Sequence, residues 1–123
     1  MAETSFVDIR MVGEVSLIEF NTGSICDIAQ IDSVTRQLKK YIAENSPKKL
    51  IIDFSKVKFF TSQTLGLLLD IWRKLQTAGG ELVISGINPQ LHRVFKITNL
   101  DKLFKFFPDS ESAAKSFDQV KKQ

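Results

Sequence analysis

The stretch from Leu50 to Leu75, LIIDFSKVKFFTSQTLGLLLDIWRKL, decides the fold of this chain. It begins with a short apolar run, which is typical of a buried β-strand and predicts one over residues 50–54. Further along, leucines and a tryptophan recur at spacings of three and four residues, the period of one helix face. We therefore predict a helix from about Ser62 to Thr77, ended by the pair Gly79-Gly80.

Thr61 and Ser62 stand between the predicted strand and the predicted helix. The first N–H groups of a helix lack intrahelical partners, and hydroxyl oxygens at the helix start can accept hydrogen bonds from them. We therefore predict that these hydroxyls cap the helix. A phosphate at the same place would gain from the helix dipole and would add about two negative charges to a neutral surface. The pattern alone favours a cap and leaves a regulatory switch open.

Strand and helix patterns alternate through the rest of the chain. Gly13 separates two apolar segments and predicts a β-hairpin, and Asp27 is the predicted cap of a helix that ends near Asn45. The later predicted elements are a strand at 81–85, a short helix opening at Asn88-Pro89, an edge strand at 103–107 and a terminal helix capped by Asp109-Ser110. This alternation predicts an α/β fold, with a four- to five-stranded mixed sheet and about four helices packed against it.

Length and composition narrow the class of protein. A chain of 123 residues suits one domain with its own core, so residues 1–123 are predicted to be a single domain. Its apolar runs are far shorter than the roughly 20 residues that cross a bilayer, and the N-terminal sequence MAETSFVDIR has no apolar signal core. We expect a cytoplasmic protein without membrane insertion. The net charge is +3, but basic and acidic residues are interspersed, so we expect no nucleic-acid partner.

The sequence contains no recognisable catalytic motif. A glycine-rich phosphate loop and a Gly-x-Ser-x-Gly elbow are both missing. The single Cys26 and the single His92 cannot build a Cys/His metal site, and Cys26 is predicted to be a small buried thiol. Scattered carboxylates such as Asp53 are expected to be solvated. A small enzyme that pairs Ser62 with His92 stays open and ranks last. We predict a protein that is not an enzyme, with no metal and no cofactor.

The segment IIDFSKVKFFTSQTLGLLL resembles STAS domain proteins of the anti-sigma factor antagonist (anti-anti-sigma factor) family. In that family a strand leads into an Asp-x-Ser-x-Val turn and then into Asp-Ser-Ser/Thr-Gly-Leu-Gly at a helix start. The matching residues are Asp53, Ser55, Val57, Ser62, Leu65 and Gly66. The Gly79-Gly80 pair and the Asn88-Pro89 helix start are also similar to the family. The resemblance covers nearly the whole chain.

The resemblance implies a partner-switching protein with no catalytic activity. In that family the unphosphorylated antagonist binds an anti-sigma factor that is also a serine kinase, and phosphorylation of a serine at the helix start releases it. A serine phosphatase then restores the unphosphorylated form. By this resemblance Ser62 is the phosphorylated residue, and Thr61, Ser62, Gln63 and Thr64 bind the partner. The expected assembly is a monomer or a weak dimer.

Three residues around Ser62 depart from the family's motif. Thr61 replaces the family's Asp, Gln63 replaces its second hydroxyl residue, and Thr64 replaces its Gly. Loss of the acid bears on kinase recognition, and Thr64 has less backbone freedom than glycine. These departures leave open an alternative function, a STAS scaffold that is not phosphorylated and binds another signalling protein or a small ligand.

Overall fold

The computed structural model describes residues 7–25 and 28–121. Cys26 and Asp27, predicted to be a buried thiol and a helix cap, lie outside the described residues. In chain order the elements are β1 (Val7–Val12), β2 (Val15–Phe20), β3 (Ser24–Ile25), α1 (Ile28–Asn45), β4 (Lys49–Asp53), β5 (Phe59–Phe60), α2 (Ser62–Thr77), β6 (Glu81–Ser85), α3 (Pro89–Ile97), a 3₁₀ helix (Leu100–Lys102), β7 (Lys105–Phe107) and α4 (Ser110–Lys121).

Five of the strands form one sheet in the order β1-β2-β4-β6-β7. β1 and β2 are antiparallel, whereas β2, β4, β6 and β7 run parallel to one another. A helix lies in each connection between parallel strands, as such crossovers require. The predicted α/β fold, with a mixed sheet and four helices, is confirmed.

Helices cover both faces of the sheet. Side chains alternate between the two faces of a strand, so neighbouring residues of β4 enter different cores. The core cluster shared with α1, α2 and α3 contains the strand residues Ile18, Leu50, Ile52 and Ile84. The smaller cluster, shared with α4, contains Leu17, Ile51, Val83, Ala113 and Phe117. Burial on both faces explains the uninterrupted apolar run in β4. Within the described ranges, no helix combines the length and apolar character that spanning a membrane requires.

Three predicted turn and cap residues have the expected roles. Gly13, between β1 and β2, has a φ of 65°. The Leu91 N–H donates to Asn88 Oδ1 at 2.8 Å at the start of α3, and the Ser112 N–H donates to Asp109 Oδ1 at 2.7 Å at the start of α4. The hydrogen bonds from Ser112 hold the pKa of Asp109 below its ordinary value.

A second, small sheet was missed by the sequence analysis. β3 and β5 pair in parallel, with Ser24 opposite Phe59 and Ile25 opposite Phe60. Strands of two residues are too short to show an alternating pattern, so no sequence signal was available. The strand β7 is also shorter than predicted, Lys105–Phe107 rather than 103–107.

Candidate functional site

The start of α2 is held in place by the small β3–β5 sheet. The Lys58 N–H donates to the Gly23 carbonyl oxygen at 2.7 Å, and the Thr61 N–H donates to the Ile25 carbonyl oxygen at 3.1 Å. These bonds lie on either side of Phe59–Phe60, so the segment that leads into α2 is paired along its whole length. Residues distant in sequence therefore set the position of the first turn of α2.

The turn after β4 is built around the carboxylate of Asp53. The Ser55 N–H donates to Asp53 Oδ1 at 2.8 Å, and the Phe54 N–H donates to the Ser85 carbonyl oxygen at 2.8 Å. A Cβ atom at Gly86 would lie 2.7 Å from Asp53 Oδ1, so only a glycine fits beside this turn. Asp53 is only 7% exposed, and the expectation that it is a solvated surface acid was wrong. Its carboxylate shapes the chain between β4 and β5.

The phenylalanines on either side of the turn after β4, Phe54 and Phe60, belong to an aromatic cluster. The Phe60 ring packs edge-on against Phe54 at a centroid distance of 5.8 Å and against Phe95 at 6.0 Å. Phe54 also contacts Phe20 at 5.1 Å. Phe60 is buried, whereas its neighbour Phe59 is 55% exposed. The two-residue strand β5 therefore anchors one phenylalanine in the core and presents the other at the surface.

Thr61 occupies the N-cap position of α2, with the extended angles φ −94° and ψ 170° that N-caps adopt. Its side chain makes no capping hydrogen bond, and its Oγ1 atom is buried without a hydrogen-bond partner among the described residues. Ser62 is the first residue of the helix and is exposed. The prediction that these hydroxyls cap the helix was therefore wrong. The first turn of α2 keeps N–H groups that no side chain of the described residues caps.

The four predicted partner-binding residues do not all face the same way. Ser62 and Gln63 are exposed, Thr61 is half-buried, and Thr64 is fully buried. The Thr64 Oγ1 lies 3.5 Å from the Ile25 carbonyl oxygen, so this hydroxyl points toward β3. Gly66, one turn after Ser62, is exposed and has open space where a Cβ atom would stand.

We use the name candidate docking surface for the exposed residues Phe59, Ser62, Gln63 and Gly66. It has a hydroxyl, an amide, an aromatic ring and a bare stretch of helix backbone at Gly66. Sequence reasoning missed Phe59, because the alternation that exposes it spans only two residues. The first turn of α2 contains no acidic residue, so the positive end of the helix dipole is not offset there.

Further along α2, an ion pair joins this helix to α1. The Lys39 ammonium lies 2.8 Å from Asp70 Oδ2. The hydrogen bond from Lys39 lowers the pKa of Asp70 below its ordinary value, and the positive charges of Lys39, Lys74 and Arg73 act in the same direction. The pair is half exposed, so water screens it and its net contribution is small.

The structure gives no support to a Ser62–His92 pair. The His92 ring packs against Phe106 of β7 at a centroid distance of 4.5 Å, with the two ring planes tilted by 51°. Within the described part of the chain, no hydrogen bond joins His92 to Ser62, and no group of three or more His, Cys, Asp or Glu side chains is arranged to hold a metal ion. The chemistry available at the start of α2 is therefore that of an exposed hydroxyl beside a helix N-terminus.

Residues 8–113 match the family described as the STAS domain. This match covers most of the chain, which therefore belongs to the STAS domain family.

Particular relatives agree with this assignment. An anti-sigma F factor antagonist of Paenibacillus polymyxa is 22% identical over 89 residues, which cover 72% of this chain and 76% of that protein. The structure of an anti-sigma factor antagonist from Mycobacterium paratuberculosis is similar with a TM-score of 0.78 at 26% identity, covering 89% of this chain and 91% of that chain. The Bacillus cell fate determinant SpoIIAA in its phosphorylated form has a TM-score of 0.69 at 20% identity, covering 93% and 98%.

Proposed function

We propose that this protein is an anti-sigma factor antagonist that binds an anti-sigma factor with serine kinase activity and is released when Ser62 is phosphorylated. The observation that carries the proposal is the exposed Ser62 at the first position of α2, inside a STAS domain, with no hydrogen-bond partner for its hydroxyl among the described residues. The names of the relatives supply the partner class. The protein has no catalytic step of its own in this proposal, and a serine phosphatase restores the binding form.

Ser62 is well placed to accept and retain a phosphate. Its hydroxyl is exposed, so a kinase can reach it without unfolding the helix. The uncapped N–H groups of the first turn and the positive end of the helix dipole would stabilise the phosphate. Thr61 is the neighbouring hydroxyl, but its Oγ1 is buried, so it is a poorer phosphate acceptor.

The same phosphate would oppose binding. In the unphosphorylated state a partner covers uncharged groups on the candidate docking surface: the Phe59 ring, the Gln63 amide and the backbone at Gly66. A phosphate on Ser62 adds about two negative charges to this surface. Burial of those charges against a partner is costly unless the partner supplies matching cations. Because sigma factors act on transcription in the cytoplasm, the proposal also places the protein there.

The experiment combines phosphorylation and binding. The protein is incubated with the anti-sigma factor kinase of the same cell and ATP, and the modified residue is located by mass spectrometry. We expect one phosphate, on Ser62, and no phosphate on the Ser62→Ala variant. Phosphate on another residue of the wild-type protein would contradict the assignment. Ser55, which is also exposed, provides a matched control, because Ser55→Ala should still be phosphorylated.

Binding of charge variants then tests the release step. Ser62→Ala should keep the affinity of the unphosphorylated protein. Ser62→Asp should lower the affinity for the partner about tenfold or more, which is the typical effect of disrupting a central residue of an interface. Gln76→Asp places the same charge at the other, exposed end of α2 and should change affinity little. Equal affinities for Ser62→Ala and Ser62→Asp would contradict release by charge.

The departures at Thr61, Gln63 and Thr64 favour a second candidate, a STAS scaffold that binds a signalling protein or small ligand without phosphorylation. The buried Thr64 stands where the motif has glycine, so the backbone here has less conformational freedom than the backbone of family members with glycine at this position. In this case the protein would form a partner complex that survives ATP treatment, and no phosphate would be detected on Ser62.

A further inference from the structure

The strand β1 forms one edge of the five-stranded sheet. Within the described residues it pairs with β2 alone, so one side of its backbone faces away from the sheet. From Asp8 to Val12 this edge strand is long enough to accept another strand. The amino-acid sequence of β1 indicates which strand would pair with it.

The hairpin turn determines which backbone groups of β1 face outward. The loop has two residues, 13 and 14, and Gly13 has the positive φ of the first central residue in a type II′ turn. The pair that flanks such a turn is hydrogen-bonded, and hydrogen-bonded pairs alternate along the ladder. It follows that the N–H and C=O groups of Ile9 point away from β2.

The sequence around Ile9 is self-complementary. From Val7 to Met11 it reads apolar, acidic, apolar, basic, apolar. We propose that β1 pairs antiparallel with β1 of a second copy of this chain, with the twofold axis at Ile9, and so joins two five-stranded sheets into one continuous sheet. In this register Asp8 lies opposite Arg10 of the second copy, and Arg10 lies opposite its Asp8.

The charges of Asp8 and Arg10 favour this pairing register over the two adjacent registers. Centring the pair on Asp8 would place two aspartates face to face, and centring it on Arg10 would do the same with two arginines, which is unfavourable for residues directly opposite. The charged side chains therefore do not protect the edge against self-pairing, as charges on an edge strand usually do. They favour one alignment, in which Ile9 and its symmetry mate exchange both backbone hydrogen bonds.

The surroundings of Asp8 and Arg10 in a single chain favour the same arrangement. Asp8 lies directly opposite Glu19 in the β1–β2 ladder, a like-charge pair. Arg10 bonds Glu19 at 3.4 Å with its side chain 60% exposed, and the hydrogen-bond donor to Asp8 is the neutral Asn21 amide at 2.9 Å. A second copy brings a cation, its Arg10, to the carboxylate of Asp8.

Charge reversal with mixing tests the pairing. In sedimentation velocity over a concentration series at low salt, the wild-type chain should show a monomer–dimer equilibrium. Asp8→Arg and Arg10→Asp should each weaken the dimer about tenfold, because two attractive pairs become repulsive. An equimolar mixture of these two variants should dimerise again, because opposite charges then meet across the interface. The double variant Asp8→Arg/Arg10→Asp should also dimerise.

Two outcomes would overturn the proposal. One is a wild-type chain that stays monomeric at every concentration, and the other is a dimer that both single reversals leave unchanged. Circular dichroism of each variant confirms that it is folded before sedimentation. Amide exchange followed by NMR gives an independent measurement: the Ile9 N–H should gain protection as concentration rises. Protection of Ile9 that is already complete at the lowest concentration would mean that the edge is covered within one chain, and would also overturn it.

Discussion

The Asp53 carboxylate accepts a hydrogen bond from the Ser55 backbone N–H at 2.8 Å, and this contact fixes the turn that carries the chain from β4 toward the candidate docking surface. Gly86 lies against both residues, with space for no Cβ atom.

Gly86→Ala should destabilise the protein by about 1–3 kcal/mol, because an added Cβ would overlap Asp53 and because Gly86 has a φ of 67°. Urea unfolding measures the change. Gly66→Ala is the matched control: its Cβ meets open space on an exposed helix position, so it should stabilise the fold by about 0.5–1 kcal/mol. If both alanine variants lost stability equally, the close approach at Gly86 would not be the cause.

Thr61→Asp should raise the free energy of unfolding by about 1 kcal/mol, because the backbone already has N-cap geometry and the threonine side chain makes no cap. Thermal and urea unfolding measure this. Thr61→Val, which removes the buried, unpaired Oγ1, should be neutral or slightly stabilising. A clear loss of stability in the valine variant would show that the hydroxyl is paired.

Phe59→Ala should weaken partner binding about tenfold while leaving stability nearly unchanged, because Phe59 is 55% exposed and belongs to the candidate docking surface. Titration calorimetry with the anti-sigma factor measures the affinity. Ile97→Ala is the control, since Ile97 is 74% exposed but belongs to a different helix, α3. Loss of affinity in the Ile97 variant alone would move the docking surface to α3.

Acid should remove a small part of the stability through Asp70. Its pKa in the folded protein is lowered by Lys39, so the contribution is present above the pKa of the unfolded chain and is lost as the pH falls through the lower, folded value. Asp70→Asn should therefore flatten the stability curve below about pH 4, the ordinary range of an aspartate. A double-mutant cycle with Lys39→Gln should show coupling at neutral pH that disappears in acid.

The sequence predicted the elements that have long or alternating apolar patterns. The period of three and four identified α2 as a helix, the pair Gly79-Gly80 indicated its end, and Asn88 was recognised as a cap because proline follows it. The conformation at the start of α2 was harder to predict from the sequence. The direction of the Thr61 side chain depends on contacts with β3, which lies far away in sequence and is too short to have a pattern.

The sequence also did not predict which side chains at the candidate site are buried. Asp53 looked like an ordinary surface acid until the turn placed the Ser55 N–H and Gly86 around it. Ser62 is proposed as a phosphorylation site from family resemblance, and the structure adds that Ser62 is exposed and Thr64 is not. Which side chain faces a partner follows from packing, which a motif alone does not encode.

Because β3 pairs with β5, a kinase acting on Ser62 would recognise the folded start of α2 rather than a linear peptide sequence. Ile25 holds both Thr61 and Thr64 through its carbonyl oxygen, across a large separation in sequence. A synthetic peptide of residues 53–77 would contain every residue of the motif and still lack this support. Recognition of Ser62 would then report that the whole domain is folded, so an unfolded or truncated copy would be ignored by the switch.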